Sequence, residues 1–146
     1  MIVYFDTSAL VKLYVTEEYS QDVASLLKSA DIAATHEIAF VEANSAFGRL
    51  EREAHISQRD FECLTVQFEE DWKNFLRVGV NPFLLKRASV LAVTLALRAY
   101  DAVHLSAADF IMKNYEDTVL FACFDMKLNR AAQALGLDVF RSTTDS

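Results

Sequence analysis

The chain has 146 residues, a formal net charge of −7 at pH 7 and 53% apolar side chains, enough to bury one sizeable core without disulfide or metal staples. Three glycines and one proline argue against a turn-rich all-β fold and for long helices joined by short connections. The acidic balance speaks at first sight against a nucleic-acid partner, although whole-chain charge says little about one cleft.

The chain opens on Ile2, Val3, Tyr4 and Phe5, an apolar run that suits a strand buried on both faces of a parallel sheet. Asp6 stands at its carboxyl end, where open α/β sheets collect their ligands. Thr7 or Ser8 is expected to cap the next helix, which carries Leu10, Leu13 and Tyr14 at helical spacing. A second helix is expected over 19–29 with Val23, Leu26 and Leu27 inward, then a short strand over 32–35. The following helix, 37–54, has an expected inward stripe of Ile38, Ala39, Glu42, Ser45, Ala46 and Arg49, which places Glu42 on a small apolar face.

Ser57-Gln58-Arg59-Asp60 reads as a capping box opening a helix to Trp72, with Phe61, Leu64, Phe68 and Trp72 as its stripe. A strand over 75–80 is followed by Asn81-Pro82, an N-cap with proline at the first helical position. That helix carries Leu84, Leu85, Ala88, Leu91, Ala92 and Leu95 and is expected to end near 98–100. Asp101 is read as capping a further helix, 102–113, while projecting its carboxylate. A second apolar strand, 118–124, ends in Asp125 and repeats the opening motif. A helix over 126–135, Gly136 as its C-cap and an edge strand over 138–140 complete one domain, 1–146, with a frayed tail from about residue 142.

Cys63 and Cys123 form neither a metal-type Cys-x-x-Cys pair nor a disulfide framework, which points to a reducing cytoplasm. The longest apolar segment, 88–99, is broken by Ser89, Thr94 and Arg98 and falls short of the roughly 20 residues a membrane helix needs. The start lacks the basic region of a signal peptide.

Four acids stand out from twenty-one by their settings: Asp6 and Asp125 at strand ends, Glu42 on an inward helix face, Asp101 between two apolar helices. Each taken alone reads equally well as a helix cap or an ion-pair partner. Taken together they imply strong repulsion, since two unit charges about 4 Å apart interact by about 4 kcal/mol at an effective dielectric of ~20. Protonation or a cation must relieve it. Hard oxygen donors without a Cys or His cluster suit Mg²⁺ or Mn²⁺, and paired divalent ions opposite four carboxylates follow the charge logic of two-metal phosphodiester hydrolysis.

Four segments carry a resemblance: 5–14 around Asp6, 41–47 around Glu42, 97–108 around Asp101 and 124–132 around Asp125. In that order they resemble the successive signatures of PIN-domain ribonucleases, most closely the VapC-type toxins of type II toxin–antitoxin pairs, over nearly the whole chain. The second signature is a lone Glu in a helix, and Phe124 stands where the family often has a small or polar residue. The resemblance implies a three-layer α/β fold, with a central, mostly parallel sheet of four or five strands flanked by about seven helices. It implies a metal-dependent endoribonuclease in which Asp6, Glu42, Asp101 and Asp125 bind Mg²⁺ or Mn²⁺, with Thr7, Ser8 and Asn129 in support. Its implied partners are structured RNA of the tRNA or rRNA class, a small antitoxin protein and a second copy of the chain.

Other residues invite a function and have plainer readings. Ser8 with His36, His55 or His104 lacks the nucleophile elbow and oxyanion turn of a hydrolytic triad. His104, one helical turn after Asp101, is expected to be a packed or hydrogen-bonded histidine rather than a ligand, and Asp109 a solvated acid. Phe61, Phe68, Trp72 and Phe75 are read as core or dimer surface ahead of base stacking. Lys12, Arg49, Arg98, Lys127 and Arg130 flank the acids in sequence and are candidate RNA-phosphate or antitoxin contacts. Three alternatives stay open at this point: a housekeeping PIN-type RNase, a phosphate-handling domain of the receiver or haloacid-dehalogenase type, and a non-catalytic interaction module. The phosphate-handling class wants a second acid two residues after the first, where this chain has Ser8.

Overall fold

In a computed structural model of the chain, residues 1–141 are described; the expected frayed tail lies outside the described residues. The elements run β1 (Ile2–Phe5), α1 (Thr7–Val11), α2 (Ser20–Ser29), β2 (Ile32–His36), α3 (Ile38–Arg52), α4 (Gln58–Trp72), β3 (Leu76–Val78), α5 (Pro82–Leu95), α6 (Ala99–Asn114), β4 (Val119–Ala122), α7 (Met126–Ala134) and β5 (Asp138–Val139). All five strands pair in parallel in the order β3-β2-β1-β4-β5. Chain order reverses beside β1, so the crevice at the carboxyl ends of β1 and β4 is the switch point where such sheets bind ligands.

Why β1 lies at the centre follows from its four side chains, all buried. Ile2 and Tyr4 face one core with Leu84, Leu91, Leu105, Ile111, Phe121 and Leu128, drawn from α5, α6, β4 and α7. Val3 and Phe5 face the other with Leu10, Val23, Ala43, Phe47 and Phe68, drawn from α1 to α4. Alternate residues of one strand thus serve two cores, which makes the molecule three layers. Aromatic rings dominate the second core: Phe68 meets Tyr14, Phe40, Phe47 and Trp72 at centroid distances of 5.2–5.6 Å. Phe68 and Phe75 are buried, which settles them as core.

Several local expectations are corrected. Asp6, not Thr7 or Ser8, caps α1, its carboxylate accepting from the Ala9 amide. The α3 stripe is rotated: Ala39, Ala43 and Phe47 are buried while Ser45 and Arg49 are exposed, because a strict four-residue spacing buries Phe47 and leaves Glu42 at the edge of the buried face. Leu85 is exposed. Helix α5 stops at Leu95, where Ala96 turns left-handed with φ 53°, so α6 starts at Ala99 with Arg98 as its N-cap residue and Asp101 inside the first turn. Strand β4 ends at Ala122, leaving Cys123 and Phe124 as a turn that delivers Asp125 to the start of α7. Ser57 and Asn81 cap α4 and α5 as expected. Among the described residues no single helix is long and apolar enough to cross a membrane, and both cysteines are free thiols.

Candidate functional site

Asp6 follows the last residue of β1, and its amide donates to the Ala122 carbonyl at 3.1 Å, so the ends of β1 and β4 present Asp6 and the Cys123–Asp125 turn side by side. The carboxylate of Asp6 is 5% exposed. Its Oδ1 accepts from the Ser8 hydroxyl at 2.7 Å and the Ala9 amide at 3.0 Å. Burial pushes its pKa up; the His104 ring, the Ser8 hydroxyl and the Ala9 amide oppose that without cancelling it. Ser8 also accepts from the Phe124 amide at 3.4 Å, which ties α1 to the turn carrying Asp125.

Asp125 caps α7 through the Leu128 amide. Its turn is braced from within α7, where Asn129 Nδ2 donates to the Cys123 carbonyl at 2.9 Å. Asp101 projects from the first turn of α6 toward the same place: Arg98 Nε donates to Asp101 Oδ2 at 3.0 Å and Arg98 Nη2 to Asp125 Oδ2 at 3.3 Å. One guanidinium therefore spans two of the four acids, and both hold its pKa above the usual arginine value, Asp101 the more strongly.

Glu42 is joined to the group from the other side. The Thr7 hydroxyl donates to Glu42 Oε1 at 2.7 Å, and His104 Nε2 lies 2.8 Å from the same oxygen. Burial pushes the Glu42 pKa up, but the His104 and Thr7 contacts outweigh it and hold it below the ordinary glutamate value. His104 is buried on α6, one turn after Asp101, with Nδ1 2.8 Å from the Tyr4 hydroxyl. Glu42 is thus bonded to Thr7 and His104, the chain neighbours of Asp6 and of the Asp101 turn, Asp6 is tied through Ser8 to the turn before Asp125, and Arg98 joins Asp101 to Asp125. The partners of Glu42 were not legible in sequence beforehand; the signal was a tyrosine inside the buried first strand and a histidine one turn after Asp101.

The flanking cations divide. Arg98 bridges two acids. Lys12 pairs with Glu17 at 3.1 Å and lies over the Phe124 ring at 4.8 Å. Lys127 donates to the Ala96 carbonyl that closes α5. Arg130 is exposed on α7, and Arg49 is exposed in the last turn of α3, about two turns beyond Glu42. Asp109 is corrected from solvated to buried: at 3% exposure it pairs with Lys113 at 2.8 Å and Arg87 at 3.5 Å, about two turns beyond Asp101 on the same helix.

Among the described residues no group of three or more His, Cys, Asp or Glu side chains is arranged to hold a metal ion. The chemistry of the donors nevertheless suits one. They are hard oxygens at a switch point, Arg98 supplies the positive charge between two of them from a side chain that is 80% exposed, and Asn129 Oδ1 beside the turn is a buried acceptor with no partner, the kind of group a bound water completes.

No protein-family model matches the chain. It is 29% identical over 144 residues, 99% of its length and 98% of theirs, to ribonucleases VapC45 and VapC49 of Mycobacterium tuberculosis strains. Solved structures share its fold: FitAcB from Neisseria gonorrhoeae, at TM-score 0.66 and 16% identity over 97% of each chain, and VapBC2 from Rickettsia felis bound to a promoter DNA fragment, at 0.64 and 14% over 96% of this chain and 98% of that one. A toxin–antitoxin complex from Klebsiella pneumoniae matches at 0.63 and 15% over 87% and 89%. The chain is therefore similar over its full length to named VapC ribonucleases and shares the three-layer fold of solved toxin–antitoxin structures.

Proposed function

We propose that this chain is a divalent-metal-dependent endoribonuclease and the toxin of a toxin–antitoxin pair, neutralised by a small protein antitoxin. The observation that supports the reading is that, in a chain similar over its full length to named ribonucleases, Asp6 and Asp125 follow the adjacent strands β1 and β4, Arg98 bridges Asp125 to Asp101, and Glu42 is bonded to Thr7 beside Asp6. A receiver-type phosphate site is disfavoured because Ser8 fills the place of its second acid and spends its hydroxyl on Asp6.

Asp6, Glu42, Asp101 and Asp125 would hold Mg²⁺ or Mn²⁺ at this edge. When bound, divalent cations supply activation of the attacking water and stabilisation of the leaving oxygen. The chain's own contribution is orientation. Ser8 and the Ala9 amide fix Asp6, Thr7 fixes Glu42, and Asn129 fixes the turn bearing Asp125. Arg98, poised on two acids and largely in solvent, is placed to meet the negative charge of an arriving phosphodiester, with Lys127 and Arg130 along the adjoining helix for neighbouring phosphates. Structured RNA of the tRNA or rRNA class is the expected substrate, in a reducing cytoplasm that suits the free Cys63 and Cys123. A homodimer is supported by the exposed apolar residues Phe83, Val90 and Val93 on α5.

The test is RNA cleavage with Mg²⁺ or Mn²⁺ by the wild type and by Asp6→Asn and Asp101→Asn, each confirmed folded by circular dichroism. A loss in rate beyond the roughly 10–100-fold typical of partners behind a metal ligand is expected, since Asp6 and Asp101 are the ligands themselves. Undiminished cleavage by the folded variants would overturn the mechanism. The toxin role predicts growth arrest on expression, relieved by the product of an adjacent small gene; without such relief a housekeeping RNase is the better reading.

A further inference from the structure

We propose that His104 and Tyr4 are positioning residues that fix which oxygen of Glu42 is presented to the metal-binding edge, an inference that rests on Glu42 being a ligand there. Glu42 needs such a device. It lies beside the buried row Ala39, Ala43 and Phe47 rather than within it, so packing alone does not choose its rotamer. Its Oε1 takes two contacts, the Thr7 hydroxyl at 2.7 Å and His104 Nε2 at 2.8 Å. Both fall on one oxygen, which leaves Oε2 as the one to face a cation.

The histidine is itself held. An ionised carboxylate only accepts, so the proton facing Glu42 belongs to Nε2, and in the neutral imidazole Nδ1 is then the acceptor for the Tyr4 hydroxyl at 2.8 Å. Tyr4 is fully buried on β1 and stacks on Phe121 of β4, with centroids 5.6 Å apart and planes at 23°. The tyrosine fixes the imidazole tautomer, and the imidazole fixes the carboxylate. The same ring registers three acid-bearing elements: α6 with Asp101, α3 with Glu42 and, through Tyr4, β1 with Asp6. Partners of this kind behind a metal ligand typically govern affinity by about 10–100-fold.

The experiment measures Mn²⁺ binding to the full chain by calorimetry, alongside melting temperature without metal and kcat and KM on RNA, for wild type, Glu42→Gln, His104→Leu, His104→Gln and Tyr4→Phe. The glutamine amide nitrogen can reach the place of Nε2 and donate to Glu42. The expected result is Mn²⁺ affinity about tenfold or more weaker in His104→Leu and Tyr4→Phe, lower kcat at similar KM, and recovery in His104→Gln. Melting temperatures that fall while Mn²⁺ affinity stays at the wild-type value would make the pair merely structural and overturn the proposal. Should His104→Leu fail to fold, Tyr4→Phe and His104→Gln decide. If Glu42→Gln weakens Mn²⁺ binding and Tyr4→Phe does not, positioning fails while the nuclease reading stands. A wild type that binds no Mn²⁺ overturns both.

Discussion

Asp101 and Asp125 share one guanidinium: Arg98 reaches the first through Nε at 3.0 Å and the second through Nη2 at 3.3 Å. Among the described residues, Arg98 is the cation that bridges two of these carboxylates. Arg98 is therefore a counter-ion for the metal-free acids and a competitor for any cation that needs the same oxygens. Arg98→Gln is expected to bind Mn²⁺ several-fold more tightly than wild type at low salt, where exposed charges are least screened. The same variant should show a higher KM for RNA, having lost a phosphate contact. Unchanged or weaker Mn²⁺ binding by calorimetry would contradict the competition.

His36 ends β2 with its ring buried and its Nδ1 accepting from the Ile38 amide at 3.0 Å. Burial first, then the neighbouring His104, lowers its pKa from 6.5. The unfolded chain then binds this proton more readily than the native one, so stability rises with pH between the lowered native value and 6.5. The contribution is complete above that window and is lost as pH falls through it. In His36→Asn, whose side-chain oxygen can still accept from Ile38, the drop in urea midpoint between about pH 7.5 and about pH 5.5 should shrink. An equal drop in both proteins would remove His36 as its source.

What the sequence disclosed and what it hid divide along a physical line. Both strands that end in an acid were readable, because a buried parallel strand is a continuous apolar run and its end is marked by the first polar residue. The capped starts of α4 and α5 were readable for the same local reason, Ser57 and Asn81 being short-range signals. The α3 stripe was misread at Ser45 and Arg49, which are exposed, and at Phe47, which is buried, while Glu42, 26% exposed, lies at the edge of that face against His104. Asp109 was misread because its partner Arg87 belongs to α5 and is brought in only when α5 packs on α6. Arg98 was legible as a flanking cation, but its bridge required the left-handed break at Ala96 that starts α6 earlier than the acid-cap reading of Asp101. Pairings set by helix packing leave no mark at one sequence position.

The Asp109 correction has a measurable consequence. Its carboxylate is buried between Lys113 and Arg87, and Arg87 Nε is itself buried with no hydrogen bond of good geometry. The two cations reach solvent, with side chains 35% and 57% exposed, so removing the acid strands no buried charge and costs about 1 kcal/mol. Asp109→Ala should lower the urea midpoint accordingly. Being remote from the four acids in contacts, it should leave Mn²⁺ affinity as in wild type. A variant as stable as wild type would show that the pair adds nothing.

Helix α5 gives the last prediction. It is apolar on both sides: Leu84, Ala88 and Leu91 are buried in the core, while Phe83 and Val93 are 79% and 83% exposed and Val90 is half-exposed. With Leu85, four large apolar side chains stand exposed on this helix, and Val80 is exposed just before it; such a cluster is costly in water and characteristic of a covered face. A second copy of the chain is the occupant expected here, so wild type should elute and scatter light as a dimer. Val93→Glu would place two like charges near each other across such a contact, and even a modest loss of affinity moves a micromolar dimer to monomer. Because Val93 makes little contact with its own core, the variant should melt within a few degrees of wild type once monomeric. A wild type that is monomeric at high concentration, or a Val93→Glu variant that remains dimeric, would place the interface elsewhere.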